Sequence, residues 1–227
     1  MSTASLRPLL AAVVCAATVA LPAVAAPKSE SLQDVIRKVQ EQQKTTSTIQ
    51  ADFKQEKQLA LLSKPEVSTG TFVYSKPNNV VWSYAAPKRV QMLITGGVLT
   101  TYYPDLNKAE RIEVKRFEDR IFKYMGASGA IDELARYFDF TFKTSAASPF
   151  YTLDLTPKNK SMAKRVQHIT IWIDKTKYFT SKIEYVEGDG DVTRYEFSNV
   201  RINQPVAPTL FTLNLPPNTK IEQMKLQ

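Results

Sequence analysis

The chain of 227 residues holds a single cysteine, a single histidine and seven glycines. Cys15 stands inside the apolar run Leu9–Val24, in a segment whose one charge is Arg7 and which ends in the A-x-A pattern Ala23-Val24-Ala25. That pattern predicts a signal peptide over residues 1–25, cleaved before Ala26. Pro22 breaks a run already shorter than the roughly 20 residues that cross a bilayer. Cys15 then leaves with the peptide, and the mature chain has no thiol for disulfides, metal ligation or nucleophilic attack. The competing reading, a lipid-bearing Cys15 at the mature terminus, places Val14 where a small residue is usual.

The glycines are spent on turns. Gly70 opens a strand, Gly96, Gly97, Gly188 and Gly190 serve hairpins, and Gly126 and Gly129 flank a helical break. None belongs to a phosphate-binding loop, which argues against nucleotide chemistry. His168 has no serine or aspartate at a telling spacing, and neither a G-x-S-x-G elbow nor an H-E-x-x-H pair occurs. Adjacent carboxylates such as Asp132-Glu133 point apart on a helix. Gly188-Asp189-Gly190-Asp191 lacks the remaining ligands of a calcium loop and reads as a hairpin turn. No catalytic residue, metal site or cofactor is expected. The formal charge of +8, or +7 once Arg7 is removed, is spread along the chain and is locally dense only over Lys108–Arg116. No aromatic-basic repeat suggests a nucleic-acid partner.

Strands dominate what is present. Leu32, Val35, Ile36 and Val39 share one helical stripe, with Ser31 as cap and Asp34 in the first turn, so a helix is expected over Leu32–Gln43. Strands follow at Ile49–Lys57, Gly70–Ser75, Val80–Tyr84, Val90–Ile94, Leu99–Tyr103 and Glu110–Lys115. Leu59–Leu62 reads as a helical turn or a loop plug. Phe117–Tyr137 reads as two short helices about a glycine hinge, either a surface helix or a movable lid. Later strands are expected at Asp139–Lys143, Tyr151–Thr156, Gln167–Asp174, Thr180–Glu187, Val192–Val200 and Phe211–Leu215. A sheet of this length hides its edges by curling into an open or closed barrel with helices across one face. Phe72, Tyr74, Trp82 and Tyr84 alternate and give each strand one large apolar face. Lys76 continues their register and brings a cation to the same side. The interior is either filled by these side chains or kept open for an apolar ligand.

An ordered set of segments resembles the LolA family of periplasmic lipoprotein carriers. They are Ala51-Asp52-Phe53-Lys54-Gln55, Gly70-Thr71-Phe72, Lys76-Pro77-Asn78 with Trp82 and Pro87, Tyr151 to Lys158, and Phe211-Thr212-Leu213-Asn214-Leu215-Pro216-Pro217. The resemblance covers about Ser31–Lys220. It implies one lipid-carrier domain over residues 26–227, folded as an open antiparallel β-barrel of about 11 strands with a helical lid. It also implies a monomeric, non-enzymatic carrier in the periplasm. Such a carrier takes lipoprotein acyl chains from an inner-membrane LolCDE-type ABC transporter to an outer-membrane LolB-type acceptor. At about 0.8 kcal/mol per buried methylene, three acyl chains represent on the order of 30 kcal/mol of exposure cost, which explains the need for carriage. The expected cavity and lid residues are Leu32, Ile36, Phe72, Tyr74, Trp82, Tyr84, Met92, Met125, Ile131 and Leu134. Lys76 stands where the family commonly has an arginine that latches the lid; lysine keeps the charge and loses the planar fork of donors. Val80 occupies a place where the family tends to expose a larger apolar side chain. The remaining alternatives are a carrier of another amphiphile, such as a glycolipid, a lipid-sensing envelope regulator, and a tethered acceptor built on Cys15.

Overall fold

The computed structural model describes residues 30–115 and 130–225. The expected signal peptide, the Gly126–Gly129 hinge and Met125 lie outside the described residues. The first element, α1 (Leu32–Thr45), begins at Ser31, whose hydroxyl accepts from the Asp34 amide while the Asp34 carboxylate accepts from the Ser31 amide. This reciprocal box satisfies two donors that a helix start leaves unpaired. Val35 and Val39 form the buried stripe.

Six strands follow: β1 (Thr48–Gln58), β2 (Glu66–Ser75), β3 (Asn79–Ala86), β4 (Val90–Thr95), β5 (Val98–Tyr103) and β6 (Lys108–Glu113). After α2 (Ala130–Tyr137) come β7 (Phe138–Lys143), β8 (Phe150–Pro157), the single turn α3 (Lys160–Ala163), β9 (Val166–Asp174), β10 (Thr180–Glu187) and β11 (Val192–Ile202). The last strand is β12 (Lys220–Met224). They form one 12-stranded sheet in the order β12-β6-β5-β4-β3-β2-β1-β11-β10-β9-β8-β7. Neighbours are antiparallel except β12, which runs parallel to β6. Among the described residues β7 and β12 do not pair, so the barrel stays open.

The strand count exceeds the expected eleven or so, because β12 carries little apolar alternation to announce it. Phe211–Leu215, expected as a strand, is instead the end of a 3₁₀ turn (Pro208–Phe211) followed by irregular chain. Pro205, Pro208, Pro216 and Pro217 surround it, and each removes a ladder donor. Val206, Phe211 and Leu213 pack against Val73, Val81 and Leu93 on the convex side of β2–β4. Of the two expectations for Leu59–Leu62 the turn holds and the plug does not: the Leu62 amide donates to the Leu59 carbonyl at 2.9 Å, and Leu61 is 97% exposed at the tip of the β1–β2 connection.

The concave side holds two continuous clusters. Val35 and Val39 of α1 meet Leu134 of α2 and the inward residues Phe138, Tyr151, Leu153, Leu155 and Ile173 of β7–β9. The other cluster joins Ile49, Ala51 and Phe53 to Phe72, Tyr74, Val80 and Ile94. Gly70 is required there, since a Cβ would sit 2.0 Å from the Ser83 carbonyl oxygen and 2.8 Å from the Phe53 ring. The empty side of Gly70 lets Phe53 reach Trp82 and Tyr84, at ring-centroid distances of 4.8 and 4.9 Å.

Candidate functional site: an apolar cavity on the concave face

Between the two clusters the concave face leaves a cavity of about 410 Å³. Trp82 and Tyr84 of β3 and Met92 of β4 form one wall, and Leu134 of α2 bounds it. The facing wall comes from β9, β10 and β11, through Ile169 and Ile171, Ile183 and Tyr185, and Tyr195 and Phe197, with Val166 at one end. Two halves of the chain therefore meet across the cavity because β1 pairs with β11, Phe53 opposite Phe197 and Gln55 opposite Tyr195. Aromatic edges stiffen the floor, with Trp82 lying 5.6 Å from Tyr195 and 5.9 Å from Phe197 between ring centroids. None of the lining residues carries a formal charge at neutral pH. Burial pushes the Tyr84 and Tyr195 phenols upward, so both stay neutral.

Four of the residues expected at the site, Trp82, Tyr84, Met92 and Leu134, line this cavity. Phe72 and Tyr74 are buried in the wall beneath it, each 3% exposed. Leu32 and Ile36 pack at the margin of the α1 cluster. Ile131 falls in α2, and its side chain lies outside the described residues, as does Met125. The lining residues of β9–β11 were missed, although their alternation was visible. Which face of those strands meets Trp82 depends on the β1–β11 register.

Lys76, in the β2–β3 turn, donates through Nζ to the carbonyls of Lys44 at 2.8 Å and Gln43 at 3.3 Å. Its cation thus sits at the C-terminus of α1, where the terminal carbonyls and the helix dipole favour positive charge. Asn203 helps there by donating to the Thr45 carbonyl at 3.1 Å. The other end of α1 is held by Glu30, which accepts from Tyr151 at 2.7 Å and pairs with Lys38, while Lys38 also donates to Tyr178 at 2.9 Å. The bonds from Lys38 and then Tyr151 hold the Glu30 carboxyl below its ordinary value.

Other concavities offer different chemistry. A groove of about 790 Å³ on the convex side is walled by Gln50, Asp52, Thr71, Asn199 and Arg201 among others, a surface suited to water. His168 lies away from the cavity, its Nε2 3.4 Å from Asp154 Oδ1. That carboxylate also pairs with Lys143 at 2.5 Å and accepts from Thr170 at 2.9 Å. The arrangement satisfies Asp154 and leaves no nucleophile poised for a base.

Comparison with known proteins agrees with this geometry. Residues 44–214 match the family model described as outer membrane lipoprotein carrier protein LolA. An outer-membrane lipoprotein carrier protein of Methylococcus capsulatus is 28% identical over 183 residues, covering 78% of this chain and 82% of that protein. One from Pseudomonas putida is 25% identical over 186 residues, covering 81% and 85%. The crystal structure of an uncharacterized conserved protein from Thermus thermophilus superposes with a TM-score of 0.57 at 10% identity, covering 86% of this chain and all of that one. At that identity the likeness concerns the fold alone.

Proposed function

The chain belongs to the LolA family of outer membrane lipoprotein carrier proteins, and from that membership we propose that its concave cavity receives the acyl chains of lipoprotein cargo in the periplasm. The carrying observation is the charge-free cavity of about 410 Å³, bounded by two strand walls and α2. Removing an acyl chain from water is favourable by about 0.8 kcal/mol per methylene, so such a cavity binds without any bond being made or broken. Trp82, Tyr84, Met92 and Leu134 are the residues assigned to acyl contact. Leu32, Ile36, Met125 and Ile131 are assigned to the helical cover, and Phe72 and Tyr74 to its supporting wall.

Lys76 serves in this reading as the latch, tying the rim of the barrel to the last turn of α1. A signal peptide over residues 1–25 delivers the chain across the inner membrane, and residues 26–227 work as one monomeric domain. The donor is a LolCDE-type transporter and the acceptor a LolB-type protein. The test is lipoprotein release from inner-membrane vesicles or spheroplasts, followed by mass analysis of lipid extracted from the purified carrier. Recovery of lipoprotein in soluble complex supports the reading. Release of none, with a glycolipid or other amphiphile co-purifying, reassigns the cargo.

A further inference from the structure

Exposed apolar side chains gather at one rim of the sheet. Of the eight large hydrophobic side chains exposed among the described residues, Leu61, Leu62, Val67, Leu106 and Tyr137 lie there. They belong to the β1–β2 and β5–β6 connections, the start of β2 and the last residue of α2. The cavity reaches toward the same rim, since Val166 opens β9, and Tyr84 and Tyr185 stand two residues from the ends of β3 and β10. Leu61 is the extreme case at 97% exposed, with Leu62 beside it at 47%. The tip that carries them is braced. The Gln58 side-chain amide donates to the Leu59 carbonyl at 3.0 Å and also to that of Leu62. The Ala60 amide donates to the Asp191 carboxylate of the β10–β11 turn at 2.8 Å. A lone exposed leucine is ordinary on a protein surface, but two held together on a braced tip beside an apolar cavity call for a partner.

Basic side chains share this rim. Lys64 follows the leucines, Lys88 occupies the β3–β4 turn, and Lys160, Lys164 and Arg165 come from the β8–β9 connection; all five are exposed. That connection is seated against the β10–β11 turn, where a Cβ on Gly188 would lie 1.8 Å from the Lys164 carbonyl oxygen. Among the described residues the ion pairs at this rim, Arg89 with Asp105, Lys158 with Asp139 and Lys108 with Glu222, use none of the five. The acids near the tip are Glu66, Glu187, Asp189 and Asp191. Glu66 stands opposite Lys57, and the two aspartates accept from the Asp191 and Ala60 amides. The core of a protein interface is depleted of lysine, whereas here the apolar points are scattered along a rim and interleaved with cations. A bilayer meets such a rim in one plane, taking leucines below the headgroups and leaving the cations at the phosphates. We propose that this rim docks on an anionic phospholipid surface, with Leu61 and Leu62 inserted and the five cations against the phosphates, so that the cavity faces the bilayer. This goes beyond the carrier reading, because docking needs neither cargo nor a partner protein.

The experiment measures flotation of the purified, cargo-free protein with liposomes of pure phosphatidylcholine and of an equimolar mixture with phosphatidylglycerol. Variants are Leu61→Ser and Lys64→Gln, with Leu210→Ser in the C-terminal strap as a control at another exposed leucine. Each is checked for an unchanged melting transition. The expected result is binding to the anionic liposomes at low salt, about tenfold weaker for Leu61→Ser, about fivefold weaker for Lys64→Gln and unchanged for Leu210→Ser. Equal flotation with both liposomes overturns the role of the cations. No flotation, or flotation that Leu61→Ser leaves intact, overturns the docking itself. Lipoprotein release from spheroplasts is scored on the same variants. Release lost in Leu61→Ser, in a protein that binds neither liposome, assigns the tip to a protein partner and overturns membrane docking. Release that stays intact without liposome binding also overturns docking, and leaves the carrier reading in place.

Discussion

Lys76 reaches two terminal carbonyls of α1 with one rotatable ammonium, at 2.8 and 3.3 Å. Because the contact is exposed, its contribution is modest, of the order of 0.5–1 kcal/mol for a cation at a helix C-terminus. Lys76→Ala should lower the melting temperature slightly, while Lys76→Arg should hold or raise it, since the guanidinium fork addresses both oxygens at once. An arginine variant melting as low as the alanine one would contradict this geometry. Glu30 gives a pH-dependent counterpart at the other helix end. Its folded-state value lies below the ordinary 4.5, chiefly through the hydrogen bond from Lys38 and next through that from Tyr151. The stabilisation is complete above the unfolded value and disappears as pH falls through the lower, folded one. Glu30→Gln should therefore melt below the unmodified protein at pH 7, and the gap should close as pH drops below 4.5. A gap constant with pH would show that the ionised carboxylate is not what holds α1. Gly70 tests packing instead: its Cβ would meet Ser83 backbone oxygen at 2.0 Å, so neither partner can yield cheaply. Gly70→Ala should cost about 2 kcal/mol or more by denaturant titration, in the range of overpacked cores.

At the scale of elements, the C-terminal strap makes the sheet a two-sided structure. Val206, Phe211 and Leu213 cover Val73, Val81 and Leu93, which would otherwise lie bare on the convex face. Leu213→Ala should destabilise by about 1–2 kcal/mol, less than a full core deletion because Leu213 is only half-buried. Cargo affinity should stay unchanged, since the strap and the cavity lie on opposite faces; a matching loss of affinity would place the strap in the site. The same strap marks the limit of what could be read in advance. Helix α1 was legible from its cap and stripe, and β1–β6 from alternation and turn residues, because local chemistry decides both. The strap was misread as a strand because Phe211, Leu213 and Leu215 alternate, while the prolines around them forbid a ladder. The β9–β11 half of the cavity wall escaped for another reason. Ile169, Ile171, Ile183, Tyr185, Tyr195 and Phe197 show their periodicity plainly, yet period 2 does not say which face is concave. Only the long-range β1–β11 pairing, which sets Phe53 against Phe197, turns them toward Trp82.

At the scale of the whole molecule, the cavity that the described residues bound is small for the cargo assigned to it. A methylene fills about as much space as a liquid water, roughly 30 Å³, so 410 Å³ holds some fourteen of them, or about one acyl chain. Taking up further chains requires a boundary to move, and the sheet cannot move without breaking ladders. Among the described residues the choice falls between the helices. Helix α1 is tied at both ends, through Glu30, Lys38, Tyr151 and Tyr178 at its start and through Lys76 and Asn203 at its finish. Between those ends Val35 and Val39 are buried against β8 and β9. Helix α2 is shorter, with eight residues, and its described polar tethers come from one position, Lys158, whose Nζ reaches the Ala135 carbonyl at 2.6 Å and whose amide reaches Tyr137 at 2.9 Å. Local opening proceeds where the fewest contacts are lost. Hydrogen exchange on protein loaded with a diacylated lipopeptide should therefore show faster amide exchange in Ala130–Tyr137 and little change in Leu32–Thr45. Loosening of α1 with α2 still protected would reverse the assignment of fixed and moving parts. Lys158→Ala should carry unloaded protein part of the way toward the loaded pattern, because it removes the side-chain tether to Ala135 without touching the cavity wall.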